Sequence, residues 1–423
     1  MPWNRRYLLR GYVGSALWII PIFAIVLELL ATRVLHAVDE QLHWEFAGLG
    51  VAGARTMFET IVTLTLSFMV FTFGSLLVAI QIASGQLTPR IIATTLLRNA
   101  VVRYTVGLFV FTLLFAVSAL NRLENEVHEL VVLAGGVLGV ACLATFLFLI
   151  DYAAKMLRPV SILAAVGEQG LSVIKAIYPA ATVAPGNAPK PDHDFGEPAV
   201  RLPHRGRSQI ILAVNTAALV AEARRADGVV AIVPSIGDFV ATDEPLFALY
   251  GGAAGIEERR LIAAVAFGPE RTMDQDPTFA FRILVDIAIK ALSPAINDPT
   301  TAVLALDQIH RLLRMVGRQY LRTDDIADEA GHVRVVLRTP NWEDFVNMAF
   351  TEIRHCGGSS LQVVRRMRAM IENLMDTLPV YRHPALREQL DLLDRAVQVH
   401  FDFPEDRTLA RIPDPQGLGG PLV

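Results

Sequence analysis

Cysteine is scarce in this chain. There are two in 423 residues, Cys142 inside an apolar run and Cys356 far downstream in polar sequence. No CxxC pair and no Cys/His group at zinc spacing occurs, which excludes zinc-ribbon and dithiol chemistry, and no disulfide is expected between such different surroundings. Charge is scarce as well. Charged residues make up 19% of the chain and the net charge is −4, so no overall basic field points to nucleic acid. What is abundant is apolar. The chain is 53% hydrophobic with a mean hydropathy of +0.42, too apolar for an ordinary soluble protein.

The apolar residues are concentrated. Residues 1 to about 158 are membrane-compatible almost throughout, and the remainder has soluble composition. Four spans are predicted: Ser15 to Val34 with Pro21 in its first half, Thr56 to Ser84, Tyr104 to Leu120, and Leu130 to Ile150. Each is long enough for ~30 Å of hydrocarbon, the third only just. Arg5, Arg6 and Arg10 precede the first span, as in a signal peptide, but that apolar run is longer than a signal core of roughly 7–15 residues and carries Glu28; a retained helix is expected. Glu28 lies near mid-span, where it either pairs inside the bundle or reaches toward the outer interface.

Loop charges orient the spans. Arg5, Arg6 and Arg10, then Arg90, Arg98 and Arg103, then Lys155 and Arg158 fall on one side; Asp39, Glu40 and Glu45, then Glu124, Glu126 and Glu129 fall on the other. The positive-inside rule places both termini in the cytoplasm, with Trp3, Trp18 and Trp44 near span ends as interface anchors. The organisation expected is a membrane domain over 1–158, a helical exit and Pro-rich linker over 159–207, a cytoplasmic α+β domain over 208–340, a helical region over 341–405 and a frayed tail over 406–423. The fold class is therefore an α-helical membrane domain of four transmembrane helices plus a cytoplasmic α+β domain with a small β-rich part and a helical part.

The second span holds the most informative pattern. At 100° per residue, Thr56, Glu59, Thr60, Thr63, Ser67, Gly74 and Gln81 fall within roughly 100° of one another. A carboxylate and an amide in hydrocarbon need a partner or water. The stripe is either the lining of a water path or polar glue between helices. In the first case Glu59, Thr60, Thr63, Ser67 and Gln81 line the path and Val70 forms part of an apolar girdle. Where the helix leaves the membrane, Gln86, Thr88, Pro89 and Arg90 make a candidate coupling elbow, because Pro89 disfavours helix at Thr88 and Arg90 reaches the interface; the simpler reading is a helix end with an interfacial arginine. In the fourth span, Gly135-x-x-x-Gly139 permits close helix contact.

The soluble part opens with predicted strands Gln209–Val214, Gly228–Val233 and Pro245–Tyr250, a helix Thr216–Arg225 capped by Asn215, and a later strand His332–Arg338 in the same sheet. Helices are predicted over Ile256–Ala266, Pro277–Leu292, Pro299–Gly317, Trp342–His355, Ser360–Leu378 and Pro384–Phe401. Asp276-Pro-Thr and Asp298-Pro-Thr are two copies of one helix start, Asp as N-cap and Pro in the first turn, with Asn297 in a tight connection. Arg271, Asp274, Asp276, Arg282, Asp286, Asn297 and Asp298 form the densest polar group, joined by Lys290 and Asp307. Arg282, Asp286 and Lys290 are spaced by four, an alternating ladder on one helix face. Asp274 and Asp276 lack a third metal ligand at fixed spacing, and no nucleophile–base pair is evident, so neither a catalytic residue, a metal nor a cofactor is assigned.

Three segments carry a resemblance. Gln81-Ile-Ala-Ser-Gly-Gln-Leu-Thr-Pro-Arg90, Arg271-Thr-Met-Asp-Gln-Asp-Pro-Thr-Phe-Ala280 and Ala291-Leu-Ser-Pro-Ala-Ile-Asn-Asp-Pro-Thr-Thr-Ala302 look like the signature segments of a bacterial family of predicted membrane proteins, domain-of-unknown-function family 2254. Leu87-Thr88 departs from it, since the family often has an aromatic and Ser there. The resemblance covers most of the chain and implies a four-span inner-membrane protein with a cytoplasmic domain; it implies no substrate. The expectation is a non-enzymatic, homo-oligomeric channel or pore-like protein, lined by the second span and regulated by the cytoplasmic domain. The alternative is a membrane-anchored sensor or scaffold whose cytoplasmic domain binds a ligand or partner protein. The lipid bilayer and further copies of the chain are the expected partners, and nucleic acid is not.

Overall fold

A computed structural model of the chain describes residues 1–16, 18–42, 50–86, 100–123, 128–156, 158–178, 195–321 and 324–419. The elbow residues Thr88, Pro89 and Arg90 lie outside these, as do Trp44, Glu45, Arg98, Glu124 and Glu126 and most of the Pro-rich linker. The chain divides into two compact units, one of residues 12–85 and 89–161, the other of residues 1–11, 86–88 and 162–423.

The first part of the chain is helical: α1 (Trp3–Ser15), α2 (Ile19–Leu42), α3 (Val51–Gln86), α4 (Ala100–Arg122), α5 (Glu129–Met156) and α6 (Pro159–Ile177). Helices α3, α4, α5 and α6 are each long and apolar enough to cross a membrane, and α1 with α2 passes the same test as a bent pair. The first expected span, Ser15 to Val34, corresponds to α2. Helix α6, expected only as an exit segment, also meets the span criterion, but its apolar side is used within the second unit. Leu163, Val166 and Ile174 are buried, and a Cβ on Gly170 would lie 2.8 Å from Ala280 Cβ.

In the first unit, α3 and α5 meet where glycine allows it. A Cβ on Gly135 would lie 2.4 Å from Phe58 Cε1, and one on Gly139 would lie 3.1 Å from Ile61 Cγ1. Phe68 stacks on Phe146 at 4.1 Å between ring centroids. Glu28 is buried and accepts a hydrogen bond from Thr32 Oγ1 at 2.7 Å. Glu28 is therefore buried rather than at the surface, and this partner lies one turn along its own helix.

The second unit contains β1 (Val200–Pro203), β2 (Gln209–Val214), α7 (Thr216–Arg225), β3 (Gly228–Ile232), β4 (Phe239–Val240), β5 (Pro245–Gly251), α8 (Glu258–Ile262), β6 (Val265–Gly268), α9 (Pro277–Ala291), α10 (Pro299–Val316), β7 (Asp325–Ala327), β8 (Val333–Leu337), α11 (Trp342–Gly357), α12 (Leu361–Thr377), α13 (His383–His400) and α14 (Pro404–Ala410). A five-stranded sheet runs β1-β5-β3-β8-β7, with β3 and β8 parallel, and a three-stranded sheet runs β4-β2-β6. The late strand therefore joins β3 and β5 as expected, whereas β2 belongs to the other sheet. A shared core that includes Ile211, Leu219, Val230, Phe247, Val265 and Val335 joins both sheets to α7.

Two expectations are corrected. The helix expected over Ile256–Ala266 is the short α8, and Val265–Gly268 is a strand because it pairs with β2 and completes the smaller sheet. The C-terminus is not frayed over its described residues. Helix α14 precedes a turn in which buried Asp414 accepts from the backbone N–H groups of Gln416, Gly417 and Gly419. Fully buried Arg365 holds the same segment by donating to the carbonyls of Ile412 and Gly419, each at 3.0 Å. Aperiodic sequence is thus ordered by a local Asp414 turn and by long-range hydrogen bonds from Arg365 that no local pattern signals.

Candidate functional site

The side of α3 that packs in its unit carries Ala54, Phe58, Ile61 and Phe68, and the polar stripe lies on the other side. Thr56, Glu59, Thr60, Thr63, Ser67, Val70, Gly74 and Gln81 are all exposed. The reading of the stripe as glue between the four spans of one chain does not describe this arrangement. Large side chains fill the groove against α5, so the small and polar residues are left outside.

The hydroxyls of the stripe are satisfied along their own helix. Thr56 donates to Ala52 O, Thr60 to Thr56 O, Thr63 to Glu59 O and Ser67 to Thr63 O, at 2.7–3.0 Å. Glu59 pairs with Arg55 at 3.3 Å, one turn away. The bundle interior is polar through residues the stripe omitted. Thr65 and Thr72 on α3, and Thr105 and Thr112 on α4, are buried, and Cys142 Sγ contacts Thr112 Oγ1 at 3.2 Å. Each threonine pair is seven apart, so each falls on one face of its helix; that spacing is the signal that could have found them.

In the second unit the loop 271–276 ties several elements together. Arg271 Nε donates to Gly237 O at 2.7 Å and lies 3.5 Å from Asp276 Oδ2. Gln275 Oε1 accepts from Val214 N, at the end of β2. Asp274 Oδ2 accepts from Tyr7 Oη at 2.8 Å, and Asn4 N donates to Ala263 O at 3.2 Å, so α1 is docked on this unit by its first residues. Asp276 caps α9, accepting at Oδ1 from Phe279 N and Thr278 Oγ1. Asp276 is 3% exposed, and its Oδ2 has no hydrogen-bond partner. Burial pushes the Asp276 carboxyl above the ordinary carboxylate range, against the Thr278 hydrogen bond and the Arg271 charge, which pull it down. Burial, then the charges of Asp324, Asp276 and Asp344, push the Tyr178 phenol up.

The remaining motif residues lie elsewhere. Arg282 pairs with Asp286 and with Glu352, joining α9 to α11. Asn297 has φ +48° in the tight connection, and Asp298 caps α10 by accepting from Thr301 N at 3.0 Å and Thr301 Oγ1 at 2.5 Å. Helix α9 has 15 residues, so Asp276 and Asp298 stand at opposite ends of about 22 Å of helix. The motif is not one site. A cluster missed in the sequence completes the hairpin: Arg366 on α12 pairs with Asp307 at 2.7 Å and donates to His310 Nδ1 at 3.4 Å, while His310 Nε2 meets Asn373 Oδ1 at 3.0 Å. Burial and then the Arg366 charge push His310 down to about 4. Among the described residues, no group of three or more His, Cys, Asp or Glu side chains converges as a metal site would.

A family model described as a predicted membrane protein, DUF2254, matches residues 14–373. Uncharacterized proteins of Mycobacterium tuberculosis and Mycobacterium bovis are each 24% identical over 427 residues, which cover 96% of this chain and 81% of the relative. No solved structure matches.

Proposed function

The chain belongs to the DUF2254 family of predicted membrane proteins, and on that footing we propose that it is a homo-oligomeric, pore-like protein of the bacterial inner membrane with α3 lining the path. One observation carries the reading. The polar side of α3 is exposed along its length while the opposite side is consumed in packing. In hydrocarbon the Arg55–Glu59 pair and the Gln81 amide would face lipid on a lone chain, at a cost that self-association or a water path removes. Val70 and Phe71, both exposed, interrupt the stripe as an apolar girdle would. The basic residues flanking α2, α4 and α5 support cytoplasmic termini and a cytoplasmic α+β unit. In this reading the α+β unit regulates and does not catalyse.

A second reading has its own support. The four back-bonded hydroxyls need no further partner, and the 271–276 loop presents a buried carboxylate beside an arginine. A membrane-anchored sensor or scaffold that binds a ligand or partner through the α+β unit fits both observations.

Cysteine scanning separates the two. In a background lacking Cys142 and Cys356, cysteines at Glu59, Thr63, Ser67 and Gln81 should react with small charged thiol reagents, and those at Phe58, Met69 and Leu76 should not. Thr63→Cys should crosslink between copies, and Val70→Ser should raise leak conductance in reconstituted bilayers. A single copy per nanodisc with an unreactive stripe and no conductance would leave the sensor reading.

A further inference from the structure

The first unit contains a cavity of about 320 Å³ that neither reading of α3 uses. Phe73 and Leu76 of α3, Val106 and Val110 of α4, Pro21 of α2 and Trp18 just before it supply its walls, and among the described residues no charged side chain lines it. The volume is within the ~300–1,000 Å³ typical of small-ligand sites. Gly107 brings α4 against Ile20 beside it, where a Cβ would lie 2.6 Å from Ile20 Cγ2.

A polar group stands at one end. Arg103 follows the lining residue Val102 in α4. Its Nη1 donates to Gly14 O at 2.6 Å and to Val13 O at 3.3 Å, in the segment that leads to Trp18. Arg103 therefore bridges the two stretches of chain that carry Val102 and Trp18. Its Nε is buried and has no hydrogen-bond partner. Trp18 Nε1 donates to Tyr12 Oη at 3.3 Å, which leaves an indole with its apolar body toward the cavity and its polar edge toward the same end.

We propose that this crevice binds one membrane phospholipid, with an acyl chain between α2, α3 and α4 and the phosphate on the Arg103 guanidinium. Size and chemistry select the occupant. Apolar walls give water too few partners to be held. A helix of a second copy, ~10–12 Å across with its side chains, is too wide for the space. Acyl chains surround these helices in any bilayer, and a phosphate pairs with a guanidinium cation in a charge-assisted hydrogen bond. Within the same unit, the positive charge of Arg103 attracts anionic headgroups.

The test uses the full-length chain in nanodiscs of equal phosphatidylglycerol and phosphatidylcholine, released for native mass spectrometry. One phospholipid should stay per chain, with phosphatidylglycerol preferred. Val106→Phe should lower the retained fraction several-fold. Arg103→Gln should cut the retained fraction of either phospholipid by about tenfold, the worth of one charge-assisted hydrogen bond to the phosphate that both carry. Brominated phosphatidylglycerol provides a second measurement on the unaltered chain. It should quench tryptophan fluorescence in a phase that saturates at low mole fraction and is missing from Trp18→Phe. Should Val106→Phe lose its helical circular dichroism, the decision falls to Arg103→Gln and Trp18→Phe. A wild-type chain that retains no lipid, or a retained fraction unchanged in Arg103→Gln, would overturn the proposal. So would quenching that only rises in proportion to brominated lipid, as annular contact would give.

Discussion

Gly237 sits directly over Asp276. A Cβ at position 237 would lie 2.4 Å from Asp276 Oδ2, and the backbone there has φ +91°. Conformation and space therefore both require glycine in this turn, and the turn carbonyl is what Arg271 binds. Gly237→Ala should cost about 2 kcal/mol or more through backbone strain and displacement of the Arg271–Asp276 pair. Melting of the full-length protein in detergent would show this; an unchanged midpoint would mean that the pair is not packed as described.

The glycine pair in α5 makes a contrasting test. Gly135→Ala would drive a methyl group into the Phe58 ring, whereas at Gly136 the nearest atom to an added Cβ is Met57 Sδ at 3.9 Å. Gly135→Ala should destabilise the first unit by about 1–3 kcal/mol, while Gly136→Ala should be close to neutral. Thermal aggregation of the two variants side by side is the measurement, and equal behaviour would contradict the α3–α5 contact.

Asp298 acts through its cap. Asp298→Ser keeps an acceptor for Thr301 N and should be tolerated, and Asp298→Ala should cost about 1 kcal/mol. If Asp298→Ser leaves melting unchanged yet abolishes a conductance or binding signal, the residue has a role beyond capping.

His310 makes stability depend on pH. Its folded-state value, about 4, lies below the ordinary 6.5 because burial and Arg366 oppose the imidazolium. The unfolded chain therefore takes up the proton first. The stabilising contribution is complete above pH 6.5, falls as pH drops from 6.5 to 4, and is constant below that. The loss is about 3 kcal/mol at most over the window. His310→Gln should flatten that part of the melting profile; a variant with the wild-type pH slope would exclude His310 as its source.

Much of this fold was legible in one dimension. Apolar runs long enough to span a membrane, the Asn215, Asp276 and Asp298 caps, the tight turn at Asn297, and the strands expected over 209–214 and 228–233, of which the second ends at Ile232, are local patterns, set by hydrophobic length, side-chain-to-backbone hydrogen bonds and backbone sterics. The same locality explains the errors. Val265–Gly268 became a strand because β2 offered it an edge, and the tail became ordered because Arg365 reached it across the fold and held the local turn that Asp414 makes.

The candidate sites divide in the same way. That α3 carries a polar stripe follows from 100° per residue, and the sequence determines it alone. Which side of α3 packs was decided by tertiary structure. Outside a membrane helix is as apolar as inside, so hydropathy does not point inward as it does in water. Phe58 and Ile61 fill the spaces over Gly135 and Gly139, and that steric fit, rather than polarity, turns Glu59, Thr63 and Ser67 outward. The polar motif likewise reads as one cluster in sequence. A helix of about 22 Å separates its two ends in space, because a rigid rod holds apart residues that a short stretch of sequence joins.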